Sequence, residues 1–587
     1  RARQLRLGGK GAGSRSGTVS SVRRSRRQRQ MSLIARRVLS LNTGAIRTAS
    51  LMTRLNTLTT FAVFVGVLWH APAASQSSPY VSTMDAAYED VDALIAMGLL
   101  PDAIVAQRPY SRAVFASFAR EAGANMAGAP GRVNTPRIRE ALARLTTRFL
   151  ESGTQETFIA VREAALDATL ARSPDRTIPT NYADFGHPIV DRIDAVLNPL
   201  LQRNQGRVLA DGGTGGAEAE ADLRLGSSFS GQVRARVSSA WSEEEGASAN
   251  LMLQSGYLRA QAGNTVLDVG REYAFSGQGR LGGSVFSGNA RALDMVRLSS
   301  DAPFHLPGLL RRVGVFELSA TVGDMGADRD VPHSKVIVFE GSWRPSTHFE
   351  VGGVLLNIQG GDGAPEATLN DRLSDIFLWL IQKDRLAISD KIFGINTRFT
   401  VPDLGLEVYF DGSTTDINWS RWESLWDEAA WIAGGRITGL GQEGRLDVFL
   451  EGRRTGVRPY THHTFTSGVT LDQRVMGAFL GPMATGWEVG VDWNATDDQL
   501  SFSGAWERYR GDEYRNNGLG NKRFRWDLWS DNPDEIRVRL EGQWLRRPNA
   551  AGFYTQIRVG YERVTRFAFT DDGRSNAMVQ AKVGWIW

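Results

Sequence analysis

The last eleven residues of the chain, Ala577-Met578-Val579-Gln580-Ala581-Lys582-Val583-Gly584-Trp585-Ile586-Trp587, decide the fold class. Every second residue from Ala577 to Trp587 is apolar, and the polar Gln580 and Lys582 lie between them. Successive side chains of a β-strand point to opposite faces, so a period of two predicts a strand with one apolar face. We therefore expect an amphipathic strand that finishes on an aromatic residue.

The same alternation recurs from about Val208 onward, where glycine is frequent and segments of about ten residues are separated by polar turns. Alternation alone fits a soluble sandwich as well as a membrane barrel, because it does not say which face is buried. The final strand resembles the closing strand of bacterial outer-membrane barrels. We therefore predict an all-β transmembrane barrel over residues 208–587, with about 18 antiparallel strands at about 21 residues per strand and connection.

The basic residues are concentrated at the front of the chain. Residues 1–80 contain 14 Arg and Lys and no Asp or Glu, so the remaining 54 basic and 64 acidic side chains give a net charge of −10. Within this region Met52 precedes an apolar core, Leu58–Trp69, and the small-residue sequence Ala71-Pro72-Ala73. This order is typical of a secretory signal peptide. We predict a signal peptide at 52–73, an upstream extension at 1–51 that is not part of the mature protein, and no nucleic-acid partner. A basic arm or a mitochondrial presequence is the alternative for the first 50 residues.

Residues 74–207 are predicted to form a periplasmic helical domain. Their apolar side chains follow a helical period, as in Val91, Leu94, Ile95, Leu99 and Leu100, with Asp85, Glu89, Asp90 and Asp92 expected in solvent. Two further helices are predicted, one over Ser111 to Ala122 and one after Thr135-Pro136, where Thr caps the helix and Pro occupies its first turn. Residues 156–172 fit either a helix or a first strand.

The sequence offers little for catalysis. With no cysteine, thiolate nucleophiles and thiolate metal sites are excluded. His462 and His463 are adjacent, so on a strand they would face opposite sides and could not jointly bind a metal. The glycine-rich stretch 277–283 lacks the flanking strand, helix and Lys-Ser/Thr of a phosphate loop, which makes a barrel turn the better interpretation. We predict no catalytic residue, cofactor or metal, and hence no enzyme.

A tryptophan-rich segment is the candidate ligand site. Flat aromatic rings beside Arg and carboxylates are the chemistry that stacks on sugar faces and binds hydroxyl groups. We assign polysaccharide binding to Trp419, Arg421, Trp422, Trp426 and Trp431; an amphipathic loop helix packed on the barrel rim is the alternative. The terminal Val583, Trp585 and Trp587 are predicted to be read by the barrel assembly machinery.

The order of these parts resembles the Wzi family of capsule assembly proteins. The similar pieces are Tyr88–Leu99 with Arg108–Arg112, Asn198–Leu200 leading to Asn204–Gly206, Gly270–Glu272 with Ser287–Arg291, Ser389–Asn396, and Tyr460–His463. The resemblance implies an 18-stranded outer-membrane barrel whose periplasmic mouth is closed by a helical bundle, and a lectin-like anchor for exported capsular polysaccharide. It also implies outer-membrane lipid, and capsule export proteins, as partners.

Two other functions stay open. The opening helices also look like an S-layer homology unit, which carbohydrate-selective porins combine with a barrel, and that would make the protein a transporter. A structural tether without a polymer ligand is the third interpretation. A plugged anchor passes no small solute, whereas a porin conducts ions and sugars.

Overall fold

The structure is a computed structural model. It describes residues 76–587, except 129–130, 132, 151–156, 179–181, 185–191, 243–245, 281, 378–387, 416–427, 517–525 and 548–550. The predicted signal peptide and upstream extension lie outside the described residues.

Among the described residues, three helices precede the barrel: α1 (Ala87–Ala96), α2 (Arg112–Met126) and α3 (Pro136–Leu145), the last continued by a π-helical turn, Thr146–Leu150. The hydroxyl of Ser111 accepts a hydrogen bond from the amide of Val114, and that of Thr135 from the amide of Ile138, so both predicted helix starts are capped. A fourth helix, α4 (Leu369–Phe377), lies in a barrel loop. Among the described helices, none is both long and apolar enough to cross a membrane.

The predicted apolar stripe of α1 is confirmed, because Val91, Leu94 and Ile95 are fully buried in one core with Phe115 of α2 and Leu145 of α3. The expectation that Asp90 lies in solvent is wrong. Its side chain is buried and accepts hydrogen bonds from Arg137, Arg144 and Arg547. Local helical period could not reveal this, since Arg547 comes from the other end of the sequence.

Within the part of the chain that the structure describes, 18 long antiparallel strands form a closed barrel, which confirms the predicted fold class. The strands are β1 (Thr157–Arg172), β2 (Gly212–Leu225), β3 (Phe229–Ser242), β4 (Gly246–Ala262), β5 (Thr265–Glu272), β6 (Leu293–Ser300), β7 (Val315–Asp324), β8 (Lys335–Ser346), β9 (Phe349–Gln359), β10 (Ser389–Val401), β11 (Leu406–Thr415), β12 (Ala429–Leu440), β13 (Leu446–Thr455), β14 (Ala484–Asn494), β15 (Asp498–Tyr509), β16 (Glu535–Arg546), β17 (Gly552–Thr565) and β18 (Arg574–Ile586).

The barrel closes where β1 pairs with both β2 and β18, so the sheet has no free edge. This corrects the predicted boundary at residue 208, because the first strand lies inside the range 74–207. A β-bulge between Val161 and Glu163 explains why 156–172 is ambiguous in sequence. The exposed apolar residues are Ile159 and Val161 before the bulge and Leu166 and Leu170 after it, so the period of two changes phase.

The two faces of the barrel have inverted polarity relative to a soluble protein. Outward residues are apolar and exposed, and on β14 the outward Trp487 and Trp493 lie near opposite ends of the strand. Inward residues are charged and paired: Arg537 donates to Glu562 at 2.9 Å with both side chains fully buried. An apolar exterior between aromatic ends is the surface that a lipid bilayer requires.

The two ends of the barrel differ in the length of their connections. One end has mostly short turns, such as 347–348 between β8 and β9, and the other has long loops, such as 456–483 between β13 and β14. The helices contact the short-turn end, where Glu140 of α3 pairs with Arg445 at 3.0 Å. Short turns face the periplasm in bacterial outer-membrane barrels. We therefore call these the periplasmic end and the outer end.

Candidate functional site

The outer end of the barrel is filled by its own loops. The described residues of the loops after β1 (173–211), β5 (273–292) and β13 (456–483) fold inward, and we call them the plug. They share an apolar core that is almost inaccessible to solvent, formed by Ile178, Ile193, Leu197, Val285, Phe286, Tyr460, Phe465, Val469, Leu471, Val475, Met476, Phe479 and Leu480. A barrel lumen otherwise lined by charges is thus closed by an apolar layer.

Hydrogen bonds join the three loops of the plug. The side-chain amide of Asn289 donates to the carbonyl of Val475 at 3.0 Å, and the Tyr460 hydroxyl donates to the carbonyl of Ser284. The amide of Gln205 donates to the carbonyl of Gly288 at 2.8 Å. Several of the family-like sequence pieces, which are far apart in the chain, therefore meet in the plug.

The described residues of the glycine-rich stretch 277–283 reach from the plug into the lumen. Gln278 donates to Glu350 at 2.8 Å and to Asn396 at 3.0 Å, both of which project from barrel strands. A Cβ atom on Gly277 would lie 2.0 Å from a carboxylate oxygen of Asp411, so glycine is required for this approach. The sequence interpretation of this stretch as a barrel turn missed its role inside the lumen.

The helical domain and the plug meet inside the barrel. Residues Gln107–Arg108 pair as a short antiparallel ladder with Phe275–Ser276 of the β5 loop. The amide of Gly277 also donates to the carbonyl of Ala106 at 2.8 Å. The lumen is therefore crossed by contacts from the periplasmic segment to the outer plug.

A cavity of about 460 Å³ remains beside these contacts, between the helices, the plug and the barrel wall. Its charged lining is internally compensated, since Arg234 pairs with Glu218 and Arg558 pairs with Glu541. Ion pairs of this kind offer neither a free nucleophile nor an unpaired base. The cavity is therefore a polar space lined by paired charges.

The two adjacent histidines lie in the plug. Their rings stack at 4.4 Å, and Nδ1 of His462 accepts hydrogen bonds from the amides of Thr464 and Phe465. This role in a turn is structural and fixes the chain before the buried Phe465. In the part of the chain that the structure describes, no group of His, Asp and Glu side chains has the arrangement of a metal site.

The predicted polysaccharide residues Trp419, Arg421, Trp422 and Trp426 lie outside the described residues. Trp431 is described and is half-buried on β12. Its neighbours Ala430 and Ile432 point inward and are buried, so Trp431 points outward, toward the membrane side. An outward-facing tryptophan near a strand end is typical of an interfacial anchor.

The predicted assembly residues Val583, Trp585 and Trp587 are exposed on the outward face of the C-terminal segment, on and just after β18. Another aromatic feature was missed by sequence reasoning. Glu513–Asn516 and Trp526–Ser530 pair in the β15–β16 loop, and there Leu528 and Trp529 are more than half exposed. The sequence signal that could have indicated this surface is the presence of apolar residues in an otherwise polar loop.

Comparisons with known proteins support one family. A family model described as capsule assembly protein Wzi matches residues 190–520, which is more than half of the chain. The search of curated proteins finds no match. Among solved structures, the chain is similar to Wzi of Escherichia coli, described as an outer membrane protein involved in group 1 capsule assembly and a carbohydrate-binding β-barrel. That similarity has a TM-score of 0.61 at 14% identity and covers 87% of this chain and 100% of that chain.

Two Pseudomonas aeruginosa structures are also similar, at lower scores. OccD3 (OpdP) gives a TM-score of 0.42 at 10% identity, covering 74% of this chain and 93% of that one. The outer membrane protein OprD gives 0.36 at 11% identity, covering 72% and 93%. The family match and the E. coli fold agree with the resemblance drawn from sequence. The chain belongs to the capsule assembly protein Wzi family.

Proposed function

We propose that this protein is a non-enzymatic outer-membrane anchor that binds exported capsular or other surface polysaccharide and helps to assemble it on the cell surface. The observation that carries the proposal is the plug, whose apolar core closes the outer end of an 18-stranded barrel. A barrel closed in this way offers its outer surface, and not its lumen, to a polymer. Family membership and the carbohydrate-binding fold relative support the same function.

The proposed binding residues are Trp419, Arg421, Trp422 and Trp426, in the segment between β11 and β12. The strand ends on either side, Thr415 and Ala429, lie at the outer end of the barrel. We propose that the indole rings stack on sugar faces and that Arg421 orients hydroxyl or carboxylate groups. The exposed Trp529 of the β15–β16 loop, also at the outer end, is proposed as a further stacking surface. Trp431 is left out of the proposal because it points toward the membrane.

The alternative of a carbohydrate-selective porin is disfavoured by the same plug. A porin needs a continuous polar path, whereas here side chains such as Phe465 and Leu471 are packed across the mouth with almost no solvent exposure. Contacts with capsule export proteins and with the barrel assembly machinery stay predictions.

The proposal is tested by measuring polysaccharide binding directly. Wild-type protein and the Trp422→Ala/Trp426→Ala variant are purified from outer membranes, and heat-modifiable migration establishes that each barrel is folded. Binding to surface polysaccharide of the source bacterium is then measured by biolayer interferometry. Loss of two stacking rings, at about 0.7 kcal/mol each, weakens binding about tenfold.

A matched control replaces two other tryptophans. Trp487→Ala/Trp493→Ala removes two outward, membrane-facing rings and should leave binding unchanged. Unchanged binding in a folded Trp422→Ala/Trp426→Ala variant would refute the site. Absence of binding by the wild-type protein would refute the function itself.

A further inference from the structure

The turn between β6 and β7 is the longest connection at the periplasmic end, and its surface is unlike that of its neighbours. It contains a 3₁₀ helix, Gly308–Val313, in which no residue is buried. Leu309 is 86% exposed and Leu310 is 55% exposed, and the next two residues are the exposed Arg311 and Arg312. Two adjacent exposed leucines followed by two arginines form a short amphipathic surface.

This turn lies against the outer wall of the barrel. The indole N–H of Trp343 donates to the carbonyl of Val313 at 2.8 Å. The Trp343 ring is stacked with Phe316 of the neighbouring strand, with ring centroids 6.1 Å apart. Both aromatic side chains alternate with inward residues such as Glu317 and Ser342, so both face the membrane. Aromatic residues at this end mark the bilayer interface, and the turn is attached at that level.

The two arginines differ from those inside the barrel. Lumenal arginines such as Arg537 and Arg259 are buried in ion pairs. Within the described ranges, no carboxylate forms an ion pair with Arg311 or Arg312. The carboxylate of Asp102 lies near the same turn, but it contacts His305 at 3.3 Å. The turn therefore carries two exposed positive charges whose counter-ion is not supplied by this part of the protein.

We propose that the turn Gly308–Val313 binds an anionic phospholipid of the periplasmic leaflet. Leu309 and Leu310 insert between acyl chains beside the aromatic interface, and Arg311 and Arg312 bind the lipid phosphate. A lipid fits better than a periplasmic protein because the turn that carries the leucines is hydrogen-bonded to Trp343, which lies on the membrane-facing surface. A bound lipid would fix the depth of the barrel in the membrane. It would do so beside the helical domain, because His305 of the same turn contacts Asp102 of that domain.

The test is native mass spectrometry of the full protein in detergent micelles supplemented with phosphatidylglycerol or with phosphatidylethanolamine. The wild-type protein should retain phosphatidylglycerol in preference to phosphatidylethanolamine. The Arg311→Gln/Arg312→Gln variant should lose about 30-fold in apparent phosphatidylglycerol affinity, at about 1 kcal/mol for each interfacial arginine.

The control is Arg120→Gln/Arg139→Gln, which removes two exposed arginines from the helices and should leave lipid binding unchanged. A second variant, Leu309→Ser/Leu310→Ser, should weaken retention of both lipids while keeping the preference for phosphatidylglycerol. Equal phosphatidylglycerol binding by wild type and Arg311→Gln/Arg312→Gln would overturn the proposal. An equal loss in the Arg120→Gln/Arg139→Gln control would also overturn it, because the effect would then be one of net charge.

Discussion

Asp90 attaches the helical domain to the barrel through a single buried carboxylate, so its substitution tests that attachment directly. Its carboxylate accepts hydrogen bonds from Arg144 at 2.7 and 2.9 Å, from Arg137 at 3.0 Å and from Arg547 at 3.2 Å. Arg547 follows β16 at the periplasmic end, so one carboxylate joins two helices to the barrel. Burial would raise the pKa of Asp90, but Arg144, Arg547 and Arg137 hold it well below its ordinary value.

We predict that Asp90→Asn detaches the helical domain in a measurable way. Removing one partner of a buried ion pair costs about 3 to 5 kcal/mol, because the remaining charges stay buried without compensation. Asparagine keeps one acceptor oxygen, so we take the lower figure of about 3 kcal/mol. At 1.4 kcal/mol per factor of ten, opening of the helices becomes about 150-fold more frequent.

The assay is hydrogen–deuterium exchange of peptides from α1 and α3 in the folded protein at pH 7. Asp102→Asn is the matched control, since Asp102 is 55% exposed and its loss should change exchange little. Exchange of α1 in Asp90→Asn within about threefold of wild type would refute the reasoning. The low pKa also fixes a pH dependence: the stabilisation is present above the unfolded value of about 3.9 and is lost as pH falls below it toward the folded value.

Three further predictions concern the helices, the plug and the last strand. Burial, with a smaller contribution from Asp102, raises the pKa of Glu121 to about 7, so the stability of the helical domain falls as pH rises from about 4.5 through 7. The helices should therefore be better protected from hydrogen exchange at pH 5.5 than at pH 8. Glu121→Gln should remove this difference. Phe465→Ala, at a fully buried site, should lower the free energy of unfolding by about 3 to 5 kcal/mol and make the 456–483 loop sensitive to protease. Protease resistance equal to that of the wild type would contradict the packing. Trp587→Ala should lower the heat-modifiable fraction recovered from outer membranes, and an unchanged fraction would disprove its role in assembly.

The barrel could be predicted because its strands obey a local rule. In β18 the outward residues alternate with lumenal ones without a break, so the period of two is readable in a single sequence. In β1 the bulge after Val161 shifts the phase, and the same rule fails there. Asp90 shows a second limit, since its three arginines come from distant positions and helical period assigns it to solvent.

The plug could not be predicted from the sequence, because its contacts join distant parts of the chain. Its contacts, such as Asn289 with Val475 and Tyr460 with Ser284, join loops separated by more than 170 residues. Local composition gave only glycines at 277–283, which fit an exposed turn as well as a close approach to Asp411. Trp431 shows why the ligand site could be predicted only in part. Aromatic composition indicates the segment, but the strand register decides that the Trp431 ring faces the membrane.

The central claim is that the barrel holds polymer outside and does not admit it, and planar-bilayer conductance of the intact protein tests this most directly. Removing the periplasmic helices would be uninformative if it also took away β1 (Thr157–Arg172). The variant therefore replaces residues 459–481 of the plug by a short Gly-Ser turn. We predict no steady current from the intact protein and open channels from the shortened variant. Steady ion conductance through the intact barrel would contradict the account and favour a sugar porin.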